Sequence, residues 1–249
     1  SSQVQLLEWA PKVTRTERAS YETQARRAGL DGFSFTELDT QGSITRAAER
    51  DEYFPVYYLE PLAGNEKALG FDLFSDAKWH EAMVSARDTG TTVASAPLTV
   101  VQNGGKGIPV FAPFYRAKAQ LDTQAQRQQA LVGFVLGVFR PDHLVEEGLG
   151  RSPVGGLDVA LIDEMAPPQE RVLYFHGSRT RGVDLRFNAS DQAAQAHSGL
   201  NWRHALDMPG RRWSLLITPA PDFWQEHMQP TSKIVLACGM LLTLLLTLM

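Results

Sequence analysis

The 249-residue sequence has a single cysteine, Cys238. Everything before it therefore lacks an internal disulfide, a thiolate metal site and a thiol nucleophile. Excess positive charge is also missing: 24 Lys and Arg against 28 Asp and Glu leave a net charge of −4, which argues against a nucleic-acid binder. No charged residue follows Lys233. Metal-ligand spacing is absent among the six histidines, His80, His143, His176, His197, His204 and His227, and there is no Gly-x-Ser-x-Gly elbow. No leader of basic and apolar residues precedes the amphipathic stretch at Ser1, so the expectation is a piece of a longer protein. The residues assemble no catalytic apparatus. At 43% hydrophobic the chain is nevertheless too apolar to be disordered.

What is present is unevenly placed. Residues 234–249, IVLACGMLLTLLLTLM, form an apolar run with no polar face. As a helix it would rise about 24 Å against a hydrocarbon core of about 30 Å. The reading is the start of a transmembrane helix over 232–249; a buried core helix is the alternative. Ahead of it, residues 3–28 read as helical with a break near Pro11, Thr14 and Glu17 standing at capping-box spacing. Strand patterns cover Gly32–Thr36, Tyr53–Leu59, Lys67–Phe74, Thr92–Val101, Ile108–Arg116 and Ala130–Phe139. Between them, residues 76–89 carry Trp79, Ala82, Met83 and Ala86 at helical spacing, with Ser75 placed to cap and Gly90 to stop the helix. Pro141 opens a short helix through Glu147. Leu157–Ile162 and Arg171–Phe175 read as strands, and Trp202–Met208 and Trp213–Thr218 as a hairpin about Pro209-Gly210. Pro219, Pro221 and Pro230 lead into the apolar run.

Asp72 is the first candidate for chemistry. It stands in ALGFDLF, apolar on both sides, and a desolvated carboxylate needs a partner, either ligand or protein. A bond to a backbone amide beside the following helix would satisfy it equally. Ser75-Asp76-Ala77-Lys78 matches a serine–lysine motif formally, but at a helix start capping accounts for it better. Asn103-Gly104-Gly105-Lys106-Gly107 lacks phosphate-loop spacing and reads as a hairpin turn. Arg179, Arg181, Arg211 and Arg212 read as a solvated rim.

A set of ordered motifs resembles a known family. It comprises Trp9-Ala10-Pro11-Lys12-Val13, Glu17-Arg18, Glu22, Tyr53-Phe54-Pro55-Val56, Asn65 and Leu69-Gly70-Phe71-Asp72-Leu73. Ala86-Arg87-Asp88-Thr89-Gly90, Ser95-Ala96-Pro97, Val110 to Tyr115 and Gly133 to Phe139 continue it. Together they are similar to the CHASE domain, the cyclase/histidine-kinase-associated sensory extracellular domain. The resemblance implies an α+β fold: a stalk helix over 1–30, a membrane-distal PAS-like subdomain over 31–150, a membrane-proximal one over 151–231, then the membrane helix. It also implies an extracytoplasmic or periplasmic module at the inner (plasma) membrane; a parallel homodimer is the expected arrangement for carrying a shift across it. Such a module senses a small molecule and controls a cytoplasmic histidine kinase or diguanylate cyclase/phosphodiesterase. No catalytic residue, metal or cofactor is implied. Plant members bind adenine-type cytokinins, and the Asp that holds the purine corresponds to Asp72. The pocket walls correspond to Phe71, Ala94, Ala96, Phe111, Pro113, Tyr115, Gly133 and Gly137. Leu136 replaces a second glycine beside that pocket, which would reshape the cavity. The competing readings are a membrane-anchored extracytoplasmic enzyme and a domain that senses a periplasmic protein partner.

Overall fold

The computed structural model describes residues 4–99, 106–150, 156–178, 201–219 and 240. In chain order the first part is β1 (Val4–Pro11), β2 (Val13–Thr14), α1 (Arg18–Arg27), β3 (Thr36–Leu38), β4 (Ile44–Arg46), β5 (Glu52–Tyr53), β6 (Tyr58–Glu60) and α2 (Ala77–Thr89). Then follow β7 (Val93–Ala94), β8 (Leu98–Thr99), β9 (Lys106–Tyr115), α3 (Gln124–Ala130), β10 (Leu131–Phe139) and α4 (Pro141–Leu149). The chain continues through β11 (Leu157–Asp163), β12 (Val172–His176), β13 (Trp202–Met208) and β14 (Arg211–Pro219). Two antiparallel sheets organise most of these elements, with the two-stranded pairs β2-β5 and β3-β4 beside them. The larger has the order β6-β1-β10-β9-β7, with β8 also on β9, and the smaller the order β12-β11-β14-β13.

Residues 3–28 are not a long helix. Val4–Pro11 is a strand near the middle of the larger sheet, paired with β10 from Val4↔Phe139 to Pro11↔Gly133. The physical reason is a period of two: Leu6, Glu8 and Ala10 share one face while Leu7 and Trp9 share the other. Pro11 and the strand partners on either side leave no helix to build, and α1 begins only at Arg18. There Glu17 accepts from the Thr14 N–H at 3.0 Å and from its hydroxyl at 2.6 Å. Arg18 and Glu22 tie α1 inward. Arg18 donates to Glu22 at 3.1 Å and to the Ala47 carbonyl at 2.9 Å, and lies over the Tyr53 and Phe35 rings.

Lys67–Phe74 is likewise not a strand. Phe71 and Asp72 make single bridges to Thr36 and Pro55, and turns of 3-10 helix flank them at Glu66–Ala68 and Leu73–Ser75. Gly70 permits the threading: at φ +79° a Cβ would stand 2.2 Å from the Ser34 carbonyl oxygen. The cap of α2 is Asp76 rather than Ser75, its carboxylate accepting from the Lys78 and Trp79 amides. Gly90 closes that helix at φ +74°. α3 stands where the sequence showed no helical stripe, started by a full capping box between Thr123 and Gln126.

The inner face of the larger sheet packs Phe111, Phe134 and Leu136 against Phe54, Leu73 and Met83. A second cluster joins Ala94, Ile108 and Val145 to Val159, Leu161 and Trp213, so the two sheets share apolar packing. Gly210, at the β13–β14 turn, abuts Val93, where a Cβ would come within 2.4 Å of Cγ1. Among the described residues no helix is long and apolar enough to cross a membrane. The expected span at 232–249, apart from Met240, the proline segment 220–231, loop residues 103–105, Arg179, Arg181, His197 and His227 lie outside the described residues.

Candidate functional site

Asp72 is completely buried. The backbone around it is drawn in by Asp72 N–H to the Thr36 carbonyl at 2.8 Å and Leu73 N–H to the Phe54 carbonyl at 3.0 Å. Its side chain is fully occupied. Oδ1 accepts from the Phe54 amide at 2.8 Å and the Phe74 amide at 3.3 Å, and Oδ2 accepts from Arg50 Nη1 at 2.9 Å. Burial pushes this carboxyl above its ordinary value, against the pull of the Phe54 amide and the Arg50 charge. Arg50 also pairs with Glu37 through its other terminal nitrogen. Neither Arg50 nor Glu37 carries a sequence signal, because no spacing rule links positions 22 and 13 residues apart in an irregular segment.

The expected walls divide between two faces. Phe111 is buried on the inner face with its ring edge to Phe134, and Pro113, paired with Phe134, shares that face. Phe71 sits edge-on to Trp79, and Tyr115 packs on the same cluster while its hydroxyl donates to the Arg87 carbonyl at 2.6 Å. Gly133 and Gly137 alternate with Phe134 and Leu136 and so belong to the outer face. A Cβ on Gly133 would meet the Ala10 carbonyl oxygen at 2.4 Å and the Trp9 ring at 2.8 Å; one on Gly137 would face the Phe139 ring at 3.2 Å. Ala94 turns to the cluster shared with the second sheet, and Ala96 is half-buried beyond it. The structure thus gathers Phe71, Asp72, Phe111, Pro113 and Tyr115 about one core and sets Ala94, Gly133 and Gly137 apart.

A groove of about 530 Å³ opens on the outer side, between α1 and the ends of β1 and β10. Trp9, Tyr21 and Tyr57 line it with Lys12, Glu17 and Arg116; none of the nine expected site residues does. One further polar group escaped the sequence reading. Glu8 is 5% exposed, its Oε2 has no hydrogen-bond partner, and burial alone raises its pKa to about 7. Its signal was a charge at an inner-face position of LLEWA, legible only once that segment is read as a strand. Among the described residues no group of His, Cys, Asp and Glu is placed to hold a metal ion.

Comparison with known proteins bears on this arrangement. The family model for the CHASE domain matches residues 1–174. Hybrid signal transduction histidine kinase A of Dictyostelium discoideum is 21% identical over 231 residues, or 88% of this chain, which spans only 11% of that relative's length. Among solved structures, the ligand-binding domain of the Pseudomonas aeruginosa PAO1 amino acid chemoreceptor PctC in complex with GABA is 12% identical. Its TM-score is 0.43, with 87% of this chain and 74% of that one covered. The PctB domain from the same organism, in complex with L-Gln, is 15% identical with a TM-score of 0.38, covering 90% of this chain and 89% of that one. Likenesses at those scores carry no argument about ligand or mechanism. The family match spans well over half of the residues and includes both the β1 motif and the Asp72 segment, and on that ground the chain belongs to the CHASE domain family.

Proposed function

We propose that this chain is the small-molecule-sensing part of a membrane receptor and that its ligand is held on the inner side of the larger sheet, with Asp72 as polar anchor. CHASE domains are sensory and non-catalytic, and they are extracellular parts of membrane receptors. The observation that carries the site reading is the partner arrangement at Asp72. Oδ1 is committed to two backbone amides, but Oδ2 is held by Arg50, a half-exposed side chain that has Glu37 as a second acceptor. A ligand N–H that takes over Oδ2 leaves Arg50 paired with Glu37, so neither charge is stranded. Phe71, Phe111, Pro113 and Tyr115 supply the apolar and aromatic surround that a planar heterocycle of the adenine type would need. Affinity that differs between the two Arg50 arrangements biases one of them, and only that difference can drive a signal. In this reading the output is a histidine kinase, as in the Dictyostelium relative, or a cyclic-dinucleotide enzyme, and the receptor works as a parallel homodimer.

Calorimetric titration of the chain with adenine-type bases tests the site. Asp72→Asn is expected to weaken binding at least tenfold, whereas Arg50→Met, which removes the competing donor, is expected to strengthen it. Unchanged affinity in Asp72→Asn overturns the assignment.

A further inference from the structure

Glu8 stands in a row of side chains that runs across three strands. Its register partner on β10 is Leu136 and on β6 is Leu59, each no more than 3% exposed. Leu6 and Ala10 flank it on its own strand and face. Oε2 is buried with no hydrogen-bond partner, a costly state for an ionised carboxylate and a tolerable one for a neutral carboxyl.

Charged groups nearby do not relieve it. β10 contributes only apolar residues and glycine between Leu131 and Phe139, and on β6 the flanking Tyr58 and Glu60 belong to the opposite face. α2 turns Ala82, Met83 and Ala86 inward and leaves Lys78 and Glu81 exposed, with Arg87 engaged by Asp88. Between β6 and α2, Glu66 and Lys67 are exposed and Asp72 is held by Arg50. Burial is the sole cause acting on Glu8.

One neighbour can yield. β6 is the edge strand of the sheet and pairs with β1 through only three residues, with Glu8↔Leu59 at the centre. We propose that this sensor also responds to external protons: ionisation of Glu8 is relieved by release of β6 from β1, which wets the carboxylate and opens the inner face of the sheet. In acid the neutral carboxyl keeps β6 docked and Leu59 buried. As pH rises through neutrality the carboxylate favours the released edge. The device needs no small-molecule ligand and stands whether or not Asp72 is a ligand anchor.

The test is carbon NMR of the Glu8 carboxyl together with hydrogen-exchange protection of the Tyr58–Glu60 amides in the 1–249 chain. The carboxyl is expected to titrate near pH 7. Between pH 5.5 and 8, protection factors in β6, corrected for intrinsic exchange, are expected to fall about thirtyfold, the ratio given by a carboxyl near 7 when closed and in its ordinary range when open. Glu8→Gln, a neutral isostere, and Glu8→Leu are each expected to abolish the pH dependence while β6 stays protected. A Glu8 titration between pH 4 and 5 overturns the proposal. So does a titration near 7 with β6 protection no more pH-dependent than in Glu8→Gln.

Discussion

Two buried carboxylates, Glu8 and Asp72, sit in the same core in opposite circumstances. Asp72 is surrounded by donors, two amides and a guanidinium; its removal leaves the two N–H groups without their acceptor, while Arg50 keeps Glu37. Asp72→Ala is expected to cost at least about 1–3 kcal/mol, the penalty for leaving the buried Phe54 amide without an acceptor, as measured by urea denaturation. Glu8 lacks a partner for Oε2, so its own charge is the liability. Its pKa rises from 4.5 to about 7 on folding; the folded state therefore holds the proton more tightly than the unfolded one. Stability is complete below pH 4.5 and is lost as pH rises through 7. The loss levels off at up to about 3 kcal/mol, from 1.36 kcal/mol per pKa unit. Glu8→Gln is expected to match the parent chain at pH 4.5 and to exceed its denaturation midpoint at pH 8; equal midpoints at both values would refute this.

At the scale of elements, what could be read in advance depended on how local the causes are. α2, α4, β9, β10, β11 and the β13–β14 hairpin carry their own periodicity and end signals, such as Gly90, Pro141 and Gly210. Each forms near the place that those signals mark. β1 does not: VQLLEWAP becomes a strand because β10 and β6 pair with it, and β10 lies more than a hundred residues away. α3 has seven mostly polar residues, QAQRQQA, and no apolar stripe, and only its capping box announces it. Asp72 was legible as a buried carboxylate because its neighbours are apolar, but its partner Arg50 was not. Nor could the face of Gly133 and Gly137 be read, since it depends on register. That register makes a sharp prediction. Gly133→Ala drives a Cβ to 2.4 Å from the Ala10 carbonyl oxygen, whereas Gly137→Ala meets only the movable Phe139 ring at 3.2 Å. Overpacking costs about 1–3 kcal/mol; Gly133→Ala is expected at or above that range and Gly137→Ala below it, with thermal unfolding of the pair as the comparison.

The whole molecule depends on how its two sheets are joined. α4 leaves β10 and packs on β12, where Glu146 accepts from the Tyr174 hydroxyl at 2.6 Å and lies 2.6 Å from His176 Nδ1. On the other side the Ala94 amide donates to the Pro209 carbonyl at 2.7 Å. Burial would raise the Glu146 carboxyl, but the bonds from Tyr174 and His176 hold it below its ordinary value. Its contribution is therefore present above the normal carboxylate range and fades in acid. Glu146→Gln at pH 7 is expected to lower the melting temperature by about 2–4 °C, with the second sheet, followed through Trp213, melting ahead of the first. Coincident, unshifted transitions would show that the junction does not depend on this cluster. The pairing of β1 with β10 has another consequence, for biosynthesis. Its partners run from Pro11↔Gly133 to Val4↔Phe139. At about 5–20 residues per second, translation delivers β1 roughly 6–25 s before the strand it must join. Until then Leu6, Leu7 and Trp9 have at most the three-residue strand β6 to pair with, and form a nascent apolar segment of the kind chaperones bind.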